Sequence, residues 1–326
     1  MAAAAAILRQ GGTVIIPTET VYGLAANALD PVAVAKIFAA KGRPADNPLI
    51  VHIAATDQLA PLVRAVPPVL PLLAEHFWPG PLTLVLPRAP LVPDITAAGM
   101  DTVAVRLPQN PVARAIITAA GVPLAAPSAN RSGIPSPTTF AHCLADMDGR
   151  VDAIVQSAPC AVGLESTVLS LAGAVPRLLR PGAVTLEQLR AVLGTVEVDE
   201  GVTHHLADNR PVSSPGMKYR HYAPKAELLL LVGSTQAYCD YLTQNARVGD
   251  FALCFTEDLP QLTLPALCYG GRQDHAAQAE RLFGLLRELD DRGALRGFVH
   301  APSTEGVGLA VYNRLLRAAA FQLLEL

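Results

Sequence analysis

Lys41 and Arg43 stand one residue apart in KGRPADNPL (41–49), within a chain whose charged residues make up only 16% of the total. Arginine offers a planar fork to phosphate or carboxylate oxygens and lysine a compact point charge, so the pair has the chemistry of an anion clamp. Spacing alone leaves another reading open, because cations at a helix C-terminus complement its dipole, worth roughly 0.3–1 kcal/mol. A second stretch, APSANRSGIPSPTT (126–139), sets Ser128, Asn130, Ser132, Gly133 and Ser136 after an apolar run. Short hydroxyl and amide side chains beside exposed backbone N–H groups can cradle phosphate or ribose. An ordinary turn leading into a capped helix is the alternative, and for Ser136 a capping role would suffice. Arg106 in TVAVRLP shares a strand face with Thr102, opposite Val103, Val105 and Leu107. A charge on a central strand calls for a partner or a ligand. His52 in LIVHI is either a structural histidine or a ligand contact. PTETVYGL (17–24), GLESTV (163–168) and LLRPG (178–182) place small polar or cationic residues where strands meet turns, and read singly they are weak signals.

The elements that must hold these residues alternate along the chain. TVIIPT (13–18), LIVHI, LTLVLP, TVAVRLP, VPLAAP, DAIVQS and STVLSL read as strands bounded by proline and small polar residues. Asp30 caps a helix opened by Pro31, faced by Val34, Ile37 and Phe38 and stopped by Gly42. SPTTFAHCLADM reads as a helix capped by Ser136 with Pro137 in its first position, and TLEQLRAVL as one opened by Thr185. Between about 197 and 225 both periodicities vanish in a stretch rich in tyrosine and cations, which reads as a linker or functional lid. Beyond it AELLLLVG, FALCFTE, PALCYG and GFVHAP alternate with helical segments, including GVGLAVYNRLLRAAAFQLL, which implies a parallel sheet covered on both faces. The division expected is 1–200, 201–225 and 226–326.

Composition narrows the classes. The 326 residues are 51% hydrophobic, enough to bury a core in each of two domains, and the formal net charge of −3 gives no global pull toward nucleic acid or anionic membrane. Any anion site must be a local cluster. The five cysteines form no CxxC pair and no even set, so neither a zinc site nor a disulfide framework is indicated, and a reducing cytoplasm fits. The start MAAAAAILRQGG lacks a cationic leader region, and apolar runs stop short of the ~20 residues a membrane span requires. No GxxxxGK[ST], GxGxxG, HExxH or GxSxG occurs, which argues against ordinary P-loop, dinucleotide, zinc-protease and α/β-hydrolase sites.

Taken in order, PTETVYGL, KGRPADNPLIVHI, PGPLT, TVAVRLP, APSANRSGIPSPTT, GLESTV, LLRPG, SPGMKYRHYAP and GVGLAVYNRLLRAA closely resemble the L-threonylcarbamoyladenylate synthases, the YrdC-like family, in their long two-domain form. The resemblance spans nearly the whole chain. It implies a twisted mixed α/β sheet around a deep cavity, followed by a smaller Rossmann-like parallel α/β domain. It also implies a reaction: L-threonine, bicarbonate or carbon dioxide, and ATP with Mg²⁺ give threonylcarbamoyl-AMP and pyrophosphate. A downstream transferase complex then modifies an adenosine of tRNA. The carry-over puts Lys41, Arg43, Ser128 and Asn130 at the nucleotide, with Lys41 and Arg43 offsetting phosphate charge in catalysis. Asn47, Thr102, Ser136 and Arg180 also face ATP, whereas Thr20, His52, Arg106 and Ser166 hold threonine. Ala126 replaces a hydroxyl residue of some relatives and keeps at most a backbone contact to threonine. Tyr219 and His221, with Lys218 and Arg220, would close over the nucleotide from the linker. The metal would come with ATP, not on a protein site.

Two other classes remain open on the residues: an RNA-binding module without catalysis, and a carbamoyltransferase using carbamoyl phosphate, since related domains occur in hydrogenase-maturation proteins. Against the first stand the acidic balance and the absence of an aromatic and basic RNA signature, leaving at most a weak tRNA contact. The long-form linker and second domain argue against the other.

Overall fold

The computed structural model describes residues 1–204 and 222–326. Two sheets carry the chain. The larger contains β1 (Val14–Ile16), β2 (Gly23–Asn27), β3 (Ile50–His52), β4 (Leu82–Pro87), β5 (Thr102–Arg106), β6 (Leu124–Ala125), β7 (Ala153–Ile154), β8 (Thr167–Ser170), β9 (Arg177–Arg180) and β10 (Glu197–Val198). Their spatial order is β10-β9-β8-β4-β5-β3-β6-β2-β1-β7, with parallel and antiparallel neighbours mixed. The smaller contains β11 (Glu227–Val232), β12 (Asp250–Cys254), β13 (Ala266–Cys268), β14 (Arg296–His300) and β15 (Leu323–Glu325). Its order is β13-β12-β14-β11-β15 and its pairs are parallel. The twisted mixed sheet and the second parallel α/β sheet are those expected. No helix of the described residues is long and apolar enough to cross a membrane.

One registered row explains how residues far apart in sequence meet. Leu124 on β6 lies opposite His52 on β3, His52 opposite Arg106 on β5, and Arg106 opposite Thr83 on β4. Flanking positions of these strands are apolar and buried, including Val51, Val105 and Leu84. That core burial fixes the register, because a one-residue slip would exchange these side chains with His52, Arg106 and Thr83 and drive charge into the apolar core.

The helix Pro31–Lys41 is built as its sequence dictates: the Asp30 carboxylate accepts from the Val32 N–H, Pro31 occupies the first turn, and Gly42 ends it at φ 61°, ψ 36°. Thr185 and Gln188 likewise form a reciprocal capping box on Leu186–Leu193.

The outcome differs at three places. The helix in SPTTFAHCLADM begins at Phe140, capped by Thr139, whose side chain accepts from the His142 N–H. Ser136 does not serve as the cap assigned to it, because the Pro137 and Thr138 carbonyls accept from the Tyr22 and Cys160 N–H groups and the Ser136 hydroxyl donates to Glu165. PTETVYGL is more than a polar turn, since Gly23 and Leu24 already belong to β2. LLRPG does lie where a strand, Arg177–Arg180, meets a turn. The last helix stops at Ala318, and the chain turns through Ala320 and Phe321 at positive φ to form β15.

Candidate functional site

The C-terminal ends of β3 and β5, the turn after β1, the loop after β6 and the turns around β8 and β9 enclose a cavity of about 680 Å³, its open mouth included. Thr18, Thr20, Arg43, His52, Arg106, Ala126, Ser128, Asn130, Ser166 and Arg180 line it, together with Glu165 and Tyr222. Three guanidinium groups therefore face one space, which makes it locally cationic in a chain whose net charge is negative.

One hydrogen-bonded group is organised around Arg106. Its Nη1 donates to Thr20 Oγ1 at 2.8 Å, its Nη2 to Glu19 Oε1 at 2.5 Å and its Nε to the Gly80 carbonyl at 3.2 Å. Burial would raise the Glu19 carboxyl, but the adjacent Arg106 charge and hydrogen bond hold it below its usual value. Thr18 and Thr20 share a hydroxyl contact at 2.9 Å. Across the sheet row, His52 sits beside Arg106 and contacts the Ile50 carbonyl through Nδ1 at 3.1 Å. Burial first, and the neighbouring Arg106 second, lower its pKa to about 3, so the imidazole is neutral at physiological pH. Ser166 Oγ lies 2.8 Å from Thr83 Oγ1 and accepts from Arg180 Nη2 at 3.2 Å, while the Ser166 carbonyl accepts from the same guanidinium at 2.9 and 3.1 Å. Burial lowers the Arg180 pKa to about 10, which leaves it charged.

A second group joins the helix Pro31–Lys41 to the loop after β6. Gly42 ends the helix, and Arg43, which precedes Pro44, lines the cavity. Arg43 Nη2 donates to the Asn47 and Pro48 carbonyls at 3.3 Å each. Lys41 is only 3% exposed, and its Nζ donates to the Ser128 carbonyl at 2.5 Å and the Asn130 carbonyl at 2.6 Å. The two cations thus part company: Lys41 ties the Ser128 to Asn130 loop to the helix end, and Arg43 faces the cavity. Burial, then the proximity of Arg43, drives the Lys41 pKa well below its ordinary value. Asn47 is buried with neither Oδ1 nor Nδ2 hydrogen-bonded, and Asn130 Oδ1, on the cavity wall, is also without a partner. Such a group costs about 1–3 kcal/mol unless water or a ligand satisfies it.

Of the remaining expected residues, Ser136 is fully buried and donates to Glu165 Oε1 at 2.5 Å. Ala126 reaches the wall, and its N–H donates to the Ile50 carbonyl at 3.0 Å. Thr102 is not brought to the cavity. It shares a face with Arg106 but begins the strand that Arg106 ends, about 13 Å away at the rise of a β-strand, and it lines a separate depression with Ser170, Arg177 and Leu179. Tyr219 and His221 lie outside the described residues, as do Lys218 and Arg220. The next residue of that motif, Tyr222, is described, and it packs its ring 5.2 Å from Phe283 while lining the cavity.

Sequence reading missed Glu19, Glu165 and Tyr222. The two glutamates stand inside quoted motifs beside Thr20 and Ser166, and an acidic residue adjacent to an expected ligand contact was the available signal. Among the described residues no three His, Cys, Asp or Glu side chains converge as a metal site. The hydroxyls, amides and one engaged carboxylate of this cavity suit an ion carried on phosphate oxygens better than a resident one.

The family model described as telomere recombination (Sua5, YciO, YrdC) matches residues 6–182, and that of the threonylcarbamoyl-AMP synthase C-terminal domain matches 184–320. The chain is 46% identical to the threonylcarbamoyl-AMP synthase of Bacillus subtilis, over 98% of this chain and 92% of that one. It is 40% identical to the protein of the same name from Pyrococcus abyssi, over 99% and 94% of the two chains. The crystal structure of P. abyssi Sua5 complexed with L-threonine superposes with a TM-score of 0.90 at 38% identity, covering 100% of this chain and 95% of that one.

Proposed function

The chain belongs to the threonylcarbamoyl-AMP synthase family, and from that premise we propose that it joins L-threonine, bicarbonate or carbon dioxide, and ATP into threonylcarbamoyl-AMP with release of pyrophosphate. The observation that carries this reading is one cavity served by two hydrogen-bonded groups of different chemistry. The group around Arg106 suits a small amino acid, and the group around Arg43, Ser128 and Asn130 suits a nucleotide.

The carbamate oxyanion of carboxylated threonine must meet the α-phosphorus while pyrophosphate departs, so positioning and charge neutralisation matter more than a covalent nucleophile. Arg106, held in place by Glu19, offers its charge to the threonine carboxylate. Thr20, Ser166 and neutral His52 supply short polar contacts, and one of them must pair with the threonine hydroxyl if valine is to be refused. Arg43 and Arg180 neutralise phosphate charge, while Lys41 fixes the Ser128 to Asn130 loop and adds its own. Asn47 and Asn130 bring unsatisfied amide groups that a nucleotide would complete. Ser136 contributes through its contact with Glu165. Mg²⁺, bound to the ATP phosphates, would screen the charge of the leaving pyrophosphate. Tyr219 and His221 are assigned to the nucleotide by resemblance alone.

The division into a catalytic unit (1–200), a connecting segment (201–225) and a second α/β unit (226–326) is supported by the end of the larger sheet at Val198 and the start of the smaller at Glu227. The product's labile mixed anhydride calls for prompt transfer, and a tRNA threonylcarbamoyl transferase system in the cytoplasm is the proposed acceptor, with weak RNA contact at most.

Pyrophosphate release from ATP and Mg²⁺, with threonine and bicarbonate omitted in turn, tests the reading. Release that requires both is the expected result. ATP binding without any threonine-dependent release would overturn it, and carbamoyl phosphate and RNA would become the ligands to test.

A further inference from the structure

Arg314 is a charged side chain with no exposed surface, on the helix Gly308–Ala318 of the second unit, far in sequence from the cavity it approaches. Its Nε donates to Glu165 Oε2 at 2.9 Å, and its Nη1 donates to the Pro181 carbonyl at 2.9 Å. The other Glu165 oxygen accepts from the Ser136 hydroxyl, and the next residue, Ser166, is clamped by Arg180. Glu165 itself lines the cavity. One carboxylate thus links an arginine of the second unit to the Ser136 loop of the first.

Other contacts seat the second unit against the same wall. Arg287 donates to Asp146 at 2.6 Å and to the Pro135 carbonyl at 2.5 Å, one residue from Ser136. Val21 and Leu164 of the first unit are buried in the same apolar cluster as Ala279, Phe283 and Val311 of the second. Gly163 has φ 76°, and a Cβ there would stand 2.4 Å from the Glu280 Cα, so the helix His275–Asp291 lies directly on the turn that presents Glu165.

We propose that Arg314 is a positioning residue for the synthase cavity, holding Glu165 and, through it, the Ser136 hydroxyl and the Ser166 backbone in place, so that the second unit forms part of the site's wall. The idea rests on the function proposed above and adds a role for the second unit. Burial alone would raise the Glu165 carboxyl, but Arg314 first, then Arg180 and the Ser136 hydrogen bond, bring it below its usual value. The charged or titratable groups facing Glu165 are Arg314, Arg180, Lys41 and Tyr222. Removing one partner of a buried pair strands the other, whereas removing both leaves no stranded charge.

The test compares wild type, Arg314→Met, Arg314→Lys, Glu165→Gln and the Arg314→Met/Glu165→Gln double variant. In Arg314→Met, the KM for ATP is expected to rise about tenfold or more with a smaller change in kcat, and Arg314→Lys should recover part of the loss. The pH dependence of thermal melts supplies a readout that space-filling would not move. A carboxyl whose folded pKa is depressed adds stability above its unfolded value of 4.5 and loses it as pH falls through the folded value. The deficit of Arg314→Met against wild type should therefore be larger at pH 8 than at pH 4, and this pH dependence should vanish in the Glu165→Gln background. A pH-independent deficit in both backgrounds, or an unchanged affinity for ATP in the folded Arg314→Met variant, would overturn the proposal. If the wild type gave no threonine-dependent pyrophosphate, the functional reading would fall, while calorimetric ATP titration and the melts would still decide whether Arg314 positions the wall.

Discussion

Replacing Lys41 with methionine keeps the aliphatic stem and removes the ammonium. Two carbonyls, of Ser128 and Asn130, would lose their donor inside a side-chain environment only 3% exposed. A buried acceptor left without its donor costs about 1–3 kcal/mol. The two share one nitrogen and are not additive, so about 3 kcal/mol for the pair is a reasonable expectation. For a unit of this size that corresponds to a fall of roughly 6–12 °C in Tm. Asn130 still donates to the Arg131 and Ile134 carbonyls, so the loop keeps its turn while losing its attachment to the helix end. A displacement of about 1 Å in a positioned group can lower turnover ~100-fold. Thermal melts followed by pyrophosphate kinetics on the folded variant check both numbers. Lost turnover with an unchanged Tm would mean that Lys41 acts on the ligand directly and not through the loop. If neither quantity changed, the reasoning from its two carbonyl contacts would be wrong.

Arg106→Lys retains the charge but not the fork that joins Thr20 and Glu19, so the KM for threonine should rise about 10- to 100-fold with the KM for ATP nearly unchanged; a selective rise in the ATP value would contradict the assignment. Asn47→Leu removes two unsatisfied buried polar atoms and should stabilise the unliganded protein by about 1 kcal/mol while weakening ATP binding. Calorimetry and melts read both effects, and destabilisation without loss of ATP affinity would show that Asn47 serves the fold. His52 is depressed to about 3 from 6.5, so the unfolded chain binds the extra proton and stability drains away as pH falls from 6.5 toward 3. His52→Leu should flatten that part of the stability profile relative to wild type, and an unaltered slope would argue against a neutral buried imidazole.

The sequence by itself determined the local structure and the parts list. Asp30, Pro31 and Gly42 specify a helix from Pro31 to Lys41, because caps and φ preferences act between near neighbours. Apolar runs bounded by proline marked β3, β4 and β5, and the ordered motifs pointed to Arg43, Ser128, Asn130, Arg106 and Ser166, all of which line one cavity. A strand without an apolar, β-branched run was not legible. β2, GLAAN, has a glycine and three small or flexible apolar residues but no β-branched side chain, and it is a strand because β1 and β6 pair with it. Thr102 shows the limit of a strand-face argument: alternation tells which side a residue faces, not how far along the strand a cavity extends. Only the tertiary structure decided that Lys41 bonds the Ser128 to Asn130 loop, that Ser136 meets Glu165 instead of capping a helix, and that an arginine from the second unit closes the chain of contacts. Ser136 and Arg314 are separated by most of the chain, and no periodicity or cap links such positions. They are joined by burial of the shared apolar cluster between the two units, which brings Arg314 to Glu165 and leaves each charge the other's principal compensation for lost water.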